Sequence, residues 1–116
     1  MNILKPLAAI LLIAGPAAAQ DHSGHAMEGA MPAYMATMDT MMQSMDGMES
    51  TGNPDADFLL MMIPHHQSAI DMAEVELEHG TDDETREMAQ KILDAQKEEI
   101  AEMTAMLDRM GVAMPK

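Results

Sequence analysis

Apolar residues in the second half of the chain recur at spacings of three and four, the period of amphipathic α-helices. One stripe lies within residues 54–79 and comprises Leu59, Met62, His66, Ile70, Ala73 and Leu77. Another lies within residues 81–110 and comprises Met88, Ile92, Gln96, Ile100, Met103, Leu107 and Met110. Two such stripes predict two long helices that pack antiparallel at a shallow angle.

Local signals predict where the first long helix begins and ends. Asn53 is a favourable N-cap, because its side-chain oxygen can accept a hydrogen bond from a free backbone N–H. Pro54 has the fixed φ angle that suits the first helical position. Gly80 follows the stripe and favours termination, so we expect a helix from Pro54 to about His79.

The second long helix has comparable end signals. Thr81 and Glu84 have the spacing of a capping box, in which each side chain bonds to the backbone of the other residue. Gly111 suits the left-handed conformation that ends many helices, and Pro115 follows it. We therefore expect this helix to continue to Met110.

The short turn between the two helices fixes which of their residues lie side by side. The predicted neighbours are His65 with Gln96, His66 with Ala95, Met62 with Glu99, and Phe58 with Met103. This register brings imidazole and amide groups to one height in an otherwise apolar seam. Such groups need partners or another role, because an unpaired polar group is costly to bury.

A shorter helix is predicted over about residues 32–48 from one continuous methionine stripe: Met31, Met35, Met38, Met42 and Met45. The segment ESTGNPD then interrupts the helical pattern. No alternation typical of strands occurs in the sequence. The predicted fold class for residues 32–116 is therefore all-α, a helical bundle with an antiparallel hairpin of two long helices and a methionine-rich N-terminal helix.

The first part of the chain has the organisation of a secretory signal peptide. Lys5 precedes an apolar block over residues 7–14, and three alanines precede Gln20. The block is too short to cross a bilayer as a helix, which needs roughly 18 apolar residues. We expect residues 1–19 to be a cleaved signal peptide and the remaining protein to be periplasmic, without a membrane span.

Residues 20–31 show no helical period and are interpreted as a flexible arm that contains histidine and methionine. Cleavage after Ala19 would leave Gln20, Asp21 and His22 at the new N-terminus. An amine, two backbone amides and the imidazole of the third residue suit the square-planar geometry of Cu(II). These three residues are therefore a candidate Cu(II) site.

Composition adds a chemical preference to this outline. The chain contains 17 methionines, no cysteine, and only Tyr34 and Phe58 as aromatic residues. Thioethers are therefore its only sulfur ligands, and they favour the soft ion Cu(I) and, by the same logic, Ag(I). The net charge of −14 disfavours nucleic acid and anionic lipid as partners and attracts cations. The same acidity is also typical of proteins that only need to stay soluble.

Two adjacent histidines follow a proline inside the first long helix. Adjacent helical residues point about 100° apart, so His65 and His66 cannot face the same way. Pro64 leaves the carbonyl of Leu60 without its helical donor. It therefore predicts either a kink, or a short break before a fresh helix that begins at Pro64.

The segments MIPHHQSAIDMAE and AQKEEIAEM together resemble the exported, ferritin-like helical family called domain of unknown function 305. The resemblance covers about Asp57 to Leu107. Some members resemble periplasmic copper- and silver-binding resistance proteins, which implies Met and His ligands on a helical bundle. The resemblance places Asp57, Met62, His65, His66, Gln96 and Glu99 on signature positions, and Met72 and Met103 where soft ligands fit. With one signature and three helices in this chain, a homodimer would supply the missing layers.

The residues and the resemblance together predict a copper-binding protein that sequesters Cu(I) or delivers it to a partner protein, with Ag(I) as a further ligand. The candidate ligands are His65, His66, Met61, Met62, Met72 and Met103, and the groups that would orient the imidazoles are Asp57, Gln96 and Glu99. The alternative is a non-catalytic interaction module whose methionine-rich face docks a partner and whose histidines are structural. Catalysis is not predicted, because the sequence has no motif for a nucleophile, a phosphate loop or a di-iron site.

Overall fold

The structure is a computed structural model that describes residues 29–115. Within this range it contains three α-helices and no strand: α1 is Met31–Met45, α2 is Pro54–His79 and α3 is Asp83–Met110. α2 and α3 pack against each other as an antiparallel hairpin, and in the described range α1 packs on α2 but not on α3. The predicted all-α class, with its hairpin and N-terminal helix, is confirmed.

The ends of α2 follow the local sequence signals. The Asn53 side chain accepts hydrogen bonds from the backbone N–H groups of Asp55 at 3.0 Å and Ala56 at 3.5 Å. At the other end the N–H of Gly80 donates to the carbonyl of Glu76 at 2.7 Å. The predicted N-cap and the predicted stop are both confirmed.

The start of α3 differs from the prediction. The N-cap is Asp82, whose carboxylate accepts from the N–H of Thr85 at 2.8 Å and from the Thr85 hydroxyl at 2.6 Å. These two bonds lower the pKa of Asp82. The predicted capping box of Thr81 and Glu84 is therefore wrong, because a carboxylate one residue further on caps the helix instead.

The end of α3 forms a Schellman motif. Gly111 adopts a left-handed conformation with φ of 72°. Its N–H donates to the carbonyl of Asp108, and the N–H of Val112 donates to the carbonyl of Leu107, both at 3.0 Å. Val112 also packs against the core cluster that contains Leu107, the apolar contact that accompanies this motif.

Two apolar clusters between α2 and α3 form the core. The larger cluster comprises Ala56, Leu59, Leu60, Ile63, Met103 and Leu107. The smaller cluster, nearer the turn, comprises Ile70, Ala73, Ala89 and Leu93. Ile100 packs against both clusters. His66 and Gln96 occupy the positions along α2 and α3 that separate them, so the polar level predicted from sequence interrupts the core.

The turn-proximal half of α3 is rotated relative to the predicted stripe. Met88 and Ile92 were expected in the core, but they are 57% and 39% exposed. Ala89 and Leu93 are buried in their place, against Ile70 and Ala73. Small alanines on both helices allow a close approach, and the bulkier Met88 and Ile92 then flank the seam on the open side.

α2 continues through Pro64 without interruption, since one helix extends from Pro54 to His79. The alternative of a short break before a fresh helix at Pro64 is therefore wrong. The helix tolerates the ring at the cost of one hydrogen bond to the Leu60 carbonyl.

The outward surface of α3 carries paired charged and polar side chains. α3 carries an ion pair of Lys91 and Glu87 at 2.7 Å, one turn apart and exposed. Gln90 donates to Asp94 at 3.0 Å on the same helix. None of the helices in the described range combines the length and the apolar character that crossing a membrane requires.

Candidate functional site

His66 makes hydrogen bonds through both of its ring nitrogens, one within α2 and one to α3. Nδ1 lies 2.9 Å from the carbonyl oxygen of Met62, one turn earlier in α2. Nε2 lies 2.6 Å from Oε2 of Glu99 on α3. The sequence predicted Ala95 as the neighbour of His66, and the hydrogen-bond partner of its side chain, Glu99, lies one turn further along α3. The His66 side chain is only 13% exposed, while that of Glu99 is 52% exposed.

The partners of His66 occupy both of its ring nitrogens. A carbonyl oxygen can only accept, so Nδ1 donates to Met62. Nε2 is in contact with the Glu99 carboxylate. A metal ion could therefore bind Nε2 only after the contact with Glu99 is released.

His65 points the other way and is exposed. Met61 and Met62 precede it by four and three residues, the two spacings that place side chains on one face of a helix. Met61 is 50% exposed and Met62 is partly buried against the edge of the larger core cluster. An imidazole and two thioethers therefore lie within about one turn of α2, with His65 and Met61 open to solvent and Met62 at the edge of the core.

Met72 lies two turns beyond His65, about 10 Å along the helix axis. It lines a groove of about 380 Å³ together with Met88 and Ile92 of α3, and Tyr34 of α1 forms one side. We call this feature the Met72–Met88 groove. The structure thus groups Met72 with Met88 more closely than with the two histidines.

Met103, the remaining predicted thioether ligand, is 9% exposed and packs in the larger core cluster. Gln96 is half-buried on α3. Glu99 contacts His66, as its predicted role of orienting an imidazole requires. Among the predicted residues, the pair of His66 and Glu99 is the one that a direct hydrogen bond joins across the hairpin.

Asp57 organises the loop before α2. Its carboxylate accepts from the Ser50 hydroxyl at 2.5 Å, from the Thr51 N–H at 2.8 Å and from the Thr51 hydroxyl at 2.7 Å. These bonds, with that from Ser50 the most important, lower the pKa of Asp57. Asp57 is about 12 Å along the axis from His65 and binds the loop, so it does not orient either imidazole in this structure.

Methionine exposure is the most distinctive property of the surface. Residues 29–115 include 15 methionines, of which only Met103 is buried. Nine are exposed: Met31, Met35, Met38, Met42, Met61, Met72, Met88, Met106 and Met114. The core is built mainly from leucine, isoleucine and alanine. The methionines are therefore not the gap fillers of a core, which is their more common role.

α1 presents its methionine stripe to solvent. It contacts α2 through the buried Thr37 and through Tyr34, whose hydroxyl donates to Oε2 of Glu76 at 3.0 Å. Partial burial, followed by the hydrogen bond and the negative charge of Glu76, raises the pKa of the Tyr34 phenol. The opposite face carries Met35 and Met42, which are 56% and 61% exposed.

Sequence reasoning missed two features of this surface. It assigned Met88 to the core, although a neighbouring stripe with Ala89 and Leu93 fits the same period. It also gave no role to Tyr34, whose position on a methionine-rich helix was a signal for the face that contacts α2. Nothing in the sequence indicated Glu76 as its partner.

Between residues 29 and 115, no group of three or more His, Cys, Asp or Glu side chains is placed to hold a metal ion. The candidate Cu(II) site at Gln20, Asp21 and His22 lies outside the described residues, as does the predicted signal peptide over residues 1–19.

Comparison with known proteins identifies the family of this chain. The model of a family described as Domain of unknown function (DUF305) matches residues 7–107. No curated protein matches the chain. The matched range contains α1, α2 and nearly all of α3, so it covers every candidate residue described above.

Proposed function

Since the chain belongs to the DUF305 family, whose description assigns no function, we propose a role from the chemistry of its own residues. The protein binds Cu(I) through methionine and histidine side chains, and it sequesters the ion in the periplasm or delivers it to a partner protein. Ag(I) is a second ligand by the same chemistry.

The exposure of the methionines is the observation that carries this proposal. Nine of the 15 methionines in the described range are exposed and only Met103 is buried, although side chains of this size gain from burial. A surface rich in thioethers, on a chain without cysteine, offers ligands selective for soft ions. Thioethers do not take up protons at physiological pH, so proton competition at such ligands is weak.

The best-supported centre consists of Met61, Met62 and His65. Their spacing lets two thioethers and one imidazole reach an ion beside a single helical turn. His65 is exposed and so its ring nitrogens are accessible, whereas both nitrogens of His66 face acceptors. His66 then has a different part in the proposal: with Glu99 it fixes the height of α3 behind this turn.

The stripe on α1 supplies further thioether pairs. Met31 and Met35, Met35 and Met38, and Met38 and Met42 are each separated by three or four residues. Side chains at these spacings lie about 5–6 Å apart at Cβ, close enough for two flexible thioethers to bind one ion. We therefore propose several weak Cu(I) sites on α1 in addition to the centre at His65.

A competition titration with a coloured Cu(I) chelator tests the central site. We expect the double variant His65→Ala, His66→Ala to lose the tightest binding event, with affinity lower by at least about tenfold. The single variant His65→Ala should account for that loss, and His66→Ala should retain the affinity. A double variant that keeps full Cu(I) affinity and stoichiometry would contradict the assignment of the central site.

Thioether binding is tested by replacing sulfur at nearly constant volume. The variant Met61→Leu, Met62→Leu should bind Cu(I) at least about tenfold more weakly at the central site. Met106→Leu is the matched control, because Met106 is exposed on α3 away from His65. Equal affinities for the two variants would show that thioether sulfur plays no part at this centre.

A second candidate function uses the same exposed side chains without metal. Methionine-rich apolar surfaces adapt to varied partners, so the protein would act as a non-catalytic interaction module. The exposed Met72–Met88 groove favours this alternative. The absence of any Cu(I) or Ag(I) binding in the titrations would leave it as the better explanation.

A further inference from the structure

The Met72–Met88 groove has properties that copper binding does not explain. It lies on the open side of the hairpin, with α2 and α3 as its floor and Tyr34 of α1 as one wall. Its exposed apolar groups are Met72, Met88 and Ile92, which are 38%, 57% and 39% exposed. We propose that this groove binds a basic amphipathic helix of a partner protein.

The apolar floor fits the non-polar face of a helix. Met88 and Ile92 are four residues apart on α3, and Met72 lines the groove from α2, so both helices border it with a large apolar side chain. Unbranched thioether side chains adjust to different apolar surfaces at little cost. The alanines Ala69, Ala73 and Ala89 keep the floor low between the rows. This is the helix-in-groove mode of recognition.

The charge around the groove specifies the polar face of the partner. Residues 69–92, which form both sides of the turn-proximal hairpin, contain eight acidic residues against one arginine and one lysine. Glu76 lines the groove, and Glu84 lies one turn before Met88 on the same face of α3. The basic side chains of this segment have partners: Arg86 bonds to the carbonyls of Leu77 and Gly80, Lys91 pairs with Glu87, and His79 lies 3.9 Å from Glu78.

The acidic border discriminates between possible occupants. A lysine-rich or arginine-rich helix would meet complementary charge on both sides of the apolar floor. A second copy of this chain would bring a further set of acidic residues to the same border, which opposes association. The partner is therefore identified by its chemistry as a basic amphipathic helix, and the binding requires no copper.

A designed peptide provides the probe. Two heptads of Leu-Lys-Lys-Leu-Leu-Lys-Lys, labelled with a fluorophore, would be titrated with the purified protein in the presence of a copper chelator. We expect binding by fluorescence anisotropy, with a gain of helical circular dichroism and an affinity that falls with salt. A peptide of the same composition with leucines scattered around the helix, and one with glutamate for lysine, should bind at least about tenfold more weakly.

Paired variants locate the binding surface. Met88→Ser should weaken binding of the basic peptide by at least about tenfold, and Glu84→Gln should weaken it less and reduce the salt dependence. Met42→Ser is the matched control, because Met42 is 61% exposed on α1 and Met88 is 57% exposed in the groove. Circular dichroism checks that all variants remain folded.

Three results would overturn the inference. The first is no binding of the basic helical peptide, and the second is equal loss in Met88→Ser and Met42→Ser. The third is a dimer of the unliganded protein, seen by sedimentation, that Met88→Ser dissociates and that excludes the peptide, since the groove would then belong to a second copy of the chain. Because the peptide experiment contains no copper, none of these results bears on the proposed Cu(I) site.

Discussion

The imidazole of His66 and the carboxylate of Glu99 meet at 2.6 Å and join the two long helices at the level that separates the two core clusters. The other ring nitrogen is held by the Met62 carbonyl at 2.9 Å. The pair fixes both the rotation of the ring and the height of α3 beside α2. His66, which the sequence predicts as a metal ligand, thus has a structural role in this fold.

Substitutions at this pair should affect stability unequally. Glu99→Gln should lower the free energy of unfolding by less than about 1 kcal/mol, because the carboxylate is half exposed and solvent weakens the ion pair. His66→Ala also removes the bond to Met62 and a largely buried ring, so it should cost about 1–2 kcal/mol. Urea unfolding followed by circular dichroism measures both. Equal losses would contradict the separate contribution of the Met62 contact.

Leu107 should be the most sensitive position of the core. Its side chain has 0% exposure and lies in the larger cluster, so Leu107→Ala should lower the free energy of unfolding by about 2–5 kcal/mol. The adjacent Met106 is 38% exposed, and Met106→Ala should change the free energy of unfolding by no more than about 0.5 kcal/mol. Thermal and urea unfolding of the two variants compare them directly, and similar losses would show that α3 is rotated differently.

The loop before α2 should weaken in acid through Asp57. Three hydrogen bonds favour its ionised form and lower its pKa below the ordinary value of 3.8. Its contribution to stability is therefore complete above that ordinary value and is lost as the pH falls through the lowered pKa. The stability difference between the natural protein and Asp57→Asn should shrink over this acidic range in urea unfolding. A difference that stays constant into strong acid would contradict the assignment.

Pro64 should be a position where the chain can be stabilised. An alanine there would restore an N–H that can donate to the Leu60 carbonyl within α2. Pro64→Ala should therefore raise the free energy of unfolding by up to about 3 kcal/mol. Urea unfolding tests the sign. A loss of stability would show that packing of the half-buried ring outweighs the missing hydrogen bond.

The sequence predicted the features that depend on local chemistry. Asn53 as a cap, Gly80 as a stop and Gly111 in a left-handed conformation follow from the preferences of single residues, and the structure confirms all three. The register of the hairpin depends instead on the turn, where Arg86 bonds to the carbonyls of Leu77 and Gly80. Arg86 reaches these carbonyls across the turn, so the spacing of apolar residues along either helix does not predict the contact.

The errors along α3 have a physical cause. Met88 and Ile92 were placed inside because they continue the apolar stripe at a spacing of four residues. The structure buries Ala89 and Leu93 instead, which fit the same period one residue further along and pack against Ile70 and Ala73. With Ala89 and Leu93 buried, Met88 is left on the surface. The rotation of α3 that the sequence did not predict therefore creates the Met72–Met88 groove.

α1 is attached to the rest of the molecule through α2 alone within the described range. It has no side-chain cap at Ala30, no basic residue in its last turn, and Thr37 as its single buried residue. A helix of 15 residues is marginal by itself in water. Its amides should therefore exchange with solvent through local opening, at a lower free energy than those of α2 and α3. We therefore expect α1 to open independently of the hairpin, and an ion bound by the methionines of α1 should first be detected as slower exchange in that helix.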